Sequence, residues 1–295
     1  MKFGLCVWLL IWPMWGFAAV SNWEPFEMYR EKITLPIKIN GVPTRVMLDT
    51  GASGNSVSAR FIEALDEPLT ASGWQPVQGM YGKEKRRTYN NINLELWGTS
   101  FNLDNLVALN LPVGIGMLLG SGFFDQFIVQ IDYPQQQLRL LSRDSVEMRK
   151  LRNVKTRKIS GMLSAKVNLN GQKDVWLQLD TGASQGIITR RLYAEEYGWL
   201  ESLATVEGVS SGANRTQTMQ RFALPYIELG PFTIESVPTA VPEEGKAITY
   251  GRAEASGTGS NIRNSRAQGV LGYEVLKHFI VTIDYRKGYV HLQAP

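Results

Sequence analysis

Two aspartates stand in the same six-letter context, Leu-Asp-Thr-Gly-Ala-Ser, at Asp49 and Asp180. A pair of carboxyls can hydrolyse a peptide bond without a metal or a covalent nucleophile. One ionised carboxylate takes a proton from a water held between the two, while one protonated carboxyl donates to the substrate. Like charges that close do not both ionise, so the pair would titrate in two macroscopic steps and share one proton in its working range. The neighbouring letters have matching work. Gly51 and Gly182 let the backbone turn sharply beside the carboxyls, where a Cβ would crowd them. Thr50 and Thr181 can each place a hydroxyl on the backbone of the opposite copy and fix the separation of the pair. Leu48 and Leu179 lead in and are expected in the core. Ser53 and Ser184 are candidates to bond either a bound peptide backbone or their own turns, and residue type does not choose between these. An Asp that merely caps a turn would leave the duplicated hexapeptide unexplained.

The elements that must position this pair are themselves duplicated. INGVPTRVMLDTGAS (residues 39–53) and LNGQKDVWLQLDTGAS (169–184) both read as an Asn-Gly hairpin turn, an alternating apolar strand and the aspartate loop. LLGSGFFDQFIVQIDY (118–133) matches VLGYEVLKHFIVTIDY (270–285), each reading as strand, Gly break, short helix and final strand. Asp180 follows Asp49 by 131 residues, but Asp284 follows Asp132 by 152, so the second copy holds 21 more. The Gly-, Ser- and Asn-rich stretch from Pro242 to Gln268 is expected to hold them as a surface loop. Asp132 and Asp284 end strands and are read as structural. The polar, basic segment 143–158 is expected to link the copies. Alternation near Ile92 and Tyr226 predicts short strands and hairpins, and hence an all-β class with two pseudo-symmetric lobes and short helices. The expected divisions are 1–21 (leader or anchor), 22–150 (first lobe) and 151–295 (second lobe). Trp74, Trp97, Trp176 and Trp199 are expected in the lobe cores, with one available to line a cleft.

Composition narrows the class further. A chain of 295 residues that is 44% hydrophobic can build two cores. Its formal charge is +4, spread along the sequence without a zinc-ligand pattern or a basic helix, which argues against nucleic acid as a partner. Lys2 followed by the uncharged run Phe3 to Val20 has the layout of an export signal. Ala19 and Ser21 suit cleavage before Asn22, and Pro13 and Gly16 interrupt the run. Left uncleaved, it is long enough to associate with a membrane as an anchor. An exported protein, periplasmic or secreted, is the expectation. The only cysteine, Cys6, lies in that leader, and the only histidines are His278 and His291. Disulfides, thiol chemistry and a histidine-built zinc site are thereby set aside, and no metal or cofactor is expected. His278 is read as a helix-end or core residue.

At this point the chain resembles the aspartic peptidase clan, whose pattern pairs an Asp-Thr-Gly loop with a later apolar-apolar-Gly. Here those later triplets are Leu118-Leu119-Gly120 and Val270-Leu271-Gly272. Alanine after each Gly is more similar to the retropepsins than to the pepsins, and the whole resembles a bacterial retropepsin-like protein with two domains fused in one chain. The resemblance implies two acid-protease lobes with a cleft between them, a polypeptide substrate, and catalysis by Asp49 and Asp180 in a monomer. It also implies glycine-rich hairpins closing over substrate. The candidates are 77–89 and 206–218, with Tyr81, Gly82 and Gly212 as tip residues near substrate. The position of Ser53 and Ser184 is often acidic in retropepsins, so subsites do not carry over directly. A scaffold that binds a peptide without cutting it, and lobes that pair between chains, are the competing readings. Ala52 and Ala183 lack the hydroxyl that lowers an aspartate's pKa in pepsin-like enzymes, which predicts a working window displaced toward neutral pH.

Overall fold

The Asn-Gly pairs adopt the backbone that their side chains favour. Asn40 and Gly41 have φ of 49° and 79°, and Asn170 and Gly171 have 52° and 68°, as a two-residue hairpin turn requires. They join Lys32–Ile39 to Val42–Leu48 and Met162–Leu169 to Lys173–Leu179, two antiparallel hairpins of the same length. The structure, a computed structural model, describes residues 20–212, 215–246, 248–249 and 267–295. The expected leader is outside the described residues up to residue 19, together with Cys6, and so are 247 and 250–266 of the expected surface loop. Among the described residues no helix is long and apolar enough to cross a membrane.

Each lobe carries the same crossing of strands beneath its aspartate. Ile115–Leu119 runs parallel to Val42–Leu48 and brings Leu119 beside Leu48; Gly269–Leu271 runs parallel to Lys173–Leu179 and brings Leu271 beside Leu179. Ser56–Ser58 and Ile187–Thr189 lie antiparallel on the other side of those strands. Leu48, Leu119, Leu179 and Leu271 are all buried, so both aspartates emerge from packed backbone and not from a free loop. The fold is mostly β, and the six helices among the described residues have four to six residues each.

A third sheet joins the lobes. Its order is Glu24–Pro25, Gln137–Leu141, Ile128–Asp132, Ile280–Asp284 and Tyr289–Gln293. At its centre the final strands of the two copies pair antiparallel, from Val129 opposite Ile283 to Asp132 opposite Ile280. One continuous hydrophobic core includes Leu35 and Phe124 of the first copy with Val167, Leu177 and Val281 of the second. Asp132 and Asp284 serve turns, as expected: Asp132 Oδ1 accepts from Gln135 N at 3.0 Å and Asp284 Oδ1 from Lys287 N at 3.1 Å.

Several expectations about elements need correction. The strands about Tyr226 are long, Thr216–Leu229 and Phe232–Pro242, because one hairpin serves both the lobe core and the outer edge of the sheet. The segment 143–158 is not a plain linker. It contains the helix Met148–Leu151, across which the boundary at 150 falls, and it ends in the strand Thr156–Ile159, paired to Met162–Leu169. Among the described tryptophans only Trp199 is fully buried, its indole N–H donating to Gln172 at 2.8 Å. Trp74 is 65% exposed on an edge strand beneath Arg87, and Trp97 sits in a hairpin turn with φ of 51°. Trp176 is half-buried under Arg157. His278, exposed just beyond the helix Tyr273–Leu276, takes the helix-end place and not the core one of its two expected positions.

Candidate active site

The chemistry of the site begins with backbone. Asp49 N–H donates to Leu119 O and Asp180 N–H to Leu271 O, both at 3.0 Å, so the crossing strands aim the two loops at each other. The tips then lock. Thr50 Oγ1 donates to Leu179 O at 2.8 Å and accepts from Thr181 N at 3.0 Å. Thr181 Oγ1 donates to Leu48 O at 3.0 Å and accepts from Thr50 N at 3.0 Å. Both threonines are buried, so these four bonds between the lobes are shielded from water and the loops have little freedom to slide.

Each carboxyl is held by its own turn and by the other. Gly51 N–H donates to Asp49 Oδ1 at 2.7 Å and Gly182 N–H to Asp180 Oδ1 at 2.9 Å. The two carboxyls hydrogen-bond each other. Any Cβ on Gly51 would collide with the Asp180 carboxyl, and one on Gly182 with that of Asp49, which is why both positions need glycine. Gly120 and Gly272 play the next layer. A side chain there would strike the backbone of residues 52–54 or 183–185, and the adjacent Ser121 N and Tyr273 N bond Ala52 O and Ala183 O at 2.8 and 2.9 Å.

Burial raises the pKa of both aspartates, and the negative charge of Asp49 raises Asp180 further. Both carboxyls therefore hold protons to higher pH than an ordinary carboxyl, and each lies against the other's charge. The two titration steps belong to the pair.

A cleft of about 1420 Å³ opens above the pair, lined by both aspartate loops and by Met80, Gly212, Leu111 and Ile188. The hairpin Gly73–Gly79 and Gly82–Tyr89 reaches over it from one lobe, and Val206–Ser211 with Thr216–Leu229 from the other. The tips meet: the Tyr81 ring packs on Gly212, Gly82 lies against Arg215, and Met80 O accepts from Thr249 N at 2.9 Å. Met80 and Gly212 take the cleft-facing places, while Tyr81 ties the tips together with its hydroxyl beside Ser210. Ser53 is an exposed residue of the cleft wall. Ser184 has its hydroxyl committed across the lobes, donating to Arg30 O at 3.1 Å and accepting from Lys32 Nζ at 2.6 Å.

Two residues of the site are absent from the motif reading. Lys32 lines the cleft beside the Asp180 loop, and Gln178 Nε2 donates to Gly51 O at 3.1 Å across the lobes. Their signal lies in mismatch between the copies, since the equivalent residues are Met162 and Met47. Among the described residues no cluster of His, Cys, Asp and Glu forms a metal centre.

A comparison with curated proteins finds no match. A family model described as aspartyl protease matches residues 35–123 and 165–275, one stretch in each lobe and each containing one Asp-Thr-Gly loop. These stretches cover more than half of the chain and bring with them both strand crossings beneath the paired carboxyls, and the chain belongs to the aspartyl protease family.

Proposed function

We propose that the protein is an aspartic endopeptidase acting on extended polypeptide in an exported location. The observation that carries this is the pair of buried carboxyls, hydrogen-bonded to each other and locked by the four threonine bonds under a cleft roofed from both lobes. A water seated between the carboxyls gives one proton to the ionised member of the Asp49/Asp180 pair as its oxygen bonds to the scissile carbonyl carbon. The protonated member gives its proton to the carbonyl oxygen. The tetrahedral gem-diol then collapses: the C–N bond breaks as the amine nitrogen takes the proton that the pair received from water, and one hydroxyl of the gem-diol returns its proton to the other carboxylate as C=O re-forms, so the pair again holds one shared proton. The roof keeps bulk water away from this exchange.

Incubation with a peptide library, with cut sites read by mass spectrometry, tests the proposal. Asp49→Asn and Asp180→Asn should each lose essentially all turnover while keeping the wild-type circular dichroism, because the pair acts as a unit. Near-normal turnover in either variant would sink the shared-proton scheme, and binding without cleavage by the wild type would favour a peptide-binding scaffold.

Export rests on the uncharged run Phe3 to Val20 behind Lys2. The mature chain should begin near Asn22 when its intact mass is measured. Retention of residues 1–21 in membrane-isolated material would instead establish the anchor.

A further inference from the structure

The two walls of the cleft match strand for strand, so a position where they differ chemically is informative. Lys32 and Met162 are such a pair. Each is the first residue of an eight-residue strand, follows a two-residue turn in the left-handed region (Arg30 and Glu31, Ser160 and Gly161), and stands opposite the last residue before that turn, Tyr29 or Ile159. Both line the cleft. Met162 is buried with its Sδ against the Tyr285 hydroxyl at 3.8 Å. Lys32 places its ammonium beside the loop that follows Asp180, donating to Ser184 Oγ at 2.6 Å and to Arg30 O at 3.2 Å.

Three features make this ammonium a fixed part of the cleft. Ile33, Thr34 and Leu35, which follow it, are wholly buried, so its strand cannot be shed or displaced. Its two acceptors hold it in place, and Ser184 is itself held by Arg30 O at 3.1 Å. An ammonium has three protons, and these two acceptors take two of them. No carboxylate of the described residues forms an ion pair with it; burial lowers its pKa, and the charges of Asp180, Glu31 and Asp49 farther off oppose that in part. A half-buried cation with an uncommitted proton, in the wall of a cleft that holds a peptide, suits a carboxylate brought by that peptide.

We propose that Lys32 is a specificity-determining residue that binds a substrate carboxylate, an Asp or Glu side chain or a terminal carboxylate, on the Ser184 side of the scissile bond, while Met162 keeps the mirror-related subsite apolar. This rests on the peptide-cleft reading above. Exchange of the substrate carboxylate for an amide loses the charge-assisted bond while preserving shape.

The test uses the peptides cut by the full protein. Each is resynthesised with Glu or Gln at every position flanking the cut, with an amidated C-terminus. A second set carries a free or an amidated terminus. Wild type should prefer the acid over the amide by about 10- to 100-fold in kcat/KM at one side-chain position, the range of a hydrogen bond between charged groups. A preference confined to the free terminus assigns the carboxylate to the chain end instead of a side chain. Lys32→Met, which installs the residue that the mirror position already accommodates, should bring the ratio near one, and Lys32→Gln should do the same if the methionine variant folds poorly. Equal use of acid and amide by the wild type, or a preference that survives loss of Lys32, overturns the proposal. If no peptide is cut, the hydrolytic reading fails separately, and the acid and amide peptides are then compared by fluorescence anisotropy with and without Lys32→Met. Tighter binding of the acid that is lost with Lys32 upholds the proposal, and equal binding overturns it.

Discussion

At the scale of single residues, the acidity of the pair is set as much by what is missing as by what is present. Asp49 and Asp180 each accept the backbone N–H of the glycine two residues on, the Ala52 backbone N–H also lowers Asp49, and the side chains of Ala52 and Ala183 supply no hydroxyl. In the Asp180 loop the next hydroxyl along the chain, Ser184 Oγ, donates instead to Arg30 O. With burial raising both carboxyls, both limbs of the pH–rate profile should be displaced upward from the ordinary carboxylate value of 3.8. Lys32 opposes this, since its positive charge lowers both. Ala52→Ser should add a donor to the ionised form and move the limbs toward lower pH, by up to about one unit for a bond of roughly 1 kcal/mol. Initial rates from pH 3 to 8 would show it, and unchanged limbs would mean that burial alone sets the acidity. The pairing of the two aspartate loops was legible from the paired hexapeptides because each letter is duplicated. Lys32 was not, since its hydroxyl partner Ser184 lies 152 residues away and its counterpart is a methionine.

At the scale of elements, the final strands do more than end the lobes. Each Ile-Asp-Tyr sends its tyrosine toward the other lobe's short helix: Tyr285 lies 6.2 Å from the Phe124 ring and Tyr133 6.0 Å from Tyr273. Their hydroxyls then differ. Tyr285 Oη donates to Thr50 O at 3.3 Å and accepts from Leu163 N at 3.4 Å, directly beneath the aspartate loops. The Tyr133 hydroxyl is buried with no hydrogen-bond partner among the described residues. Tyr285→Phe should therefore destabilise the fold by about 1–2 kcal/mol, because it strands a buried amide, whereas Tyr133→Phe should be neutral or stabilising. Urea unfolding of both variants decides this; equal losses would contradict the asymmetry. The matched strands themselves were readable from apolar-apolar-Gly and Ile-Asp-Tyr, and the Asn-Gly turns fixed the register of both hairpins. The lengths of Thr216–Leu229 and Phe232–Pro242 were not, because alternation marks a strand's faces but not where its pairing partner stops. Nor was the exposure of Trp74 and Trp97, which depends on an edge strand and a turn that hydrophobicity alone does not reveal.

At the scale of the whole molecule, the repeat in the sequence has become two lobes that share structure instead of merely touching. The central strands Ile128–Asp132 and Ile280–Asp284 pair across the boundary, the core is continuous, and the threonine bonds close the contact between the aspartate loops. Residue 20 onward also joins: Ser21 N donates to Leu140 O and Ser21 Oγ accepts from Leu140 N, both at 2.9 Å, and Arg139 lies over the Trp23 ring at 4.4 Å. Unfolding one lobe alone would expose half of a sheet and part of a common core, so neither half has a low-cost route to open by itself. One chain also contributes both carboxyls, which makes the complete pair an intramolecular arrangement. Calorimetry should accordingly show one transition with equal calorimetric and van't Hoff enthalpies, and peptide turnover should rise in strict proportion to protein concentration down to the nanomolar range. Lobes exchanged between two chains would instead give a rate that falls faster than concentration on dilution. Two resolved transitions would show that the shared sheet does not couple the lobes.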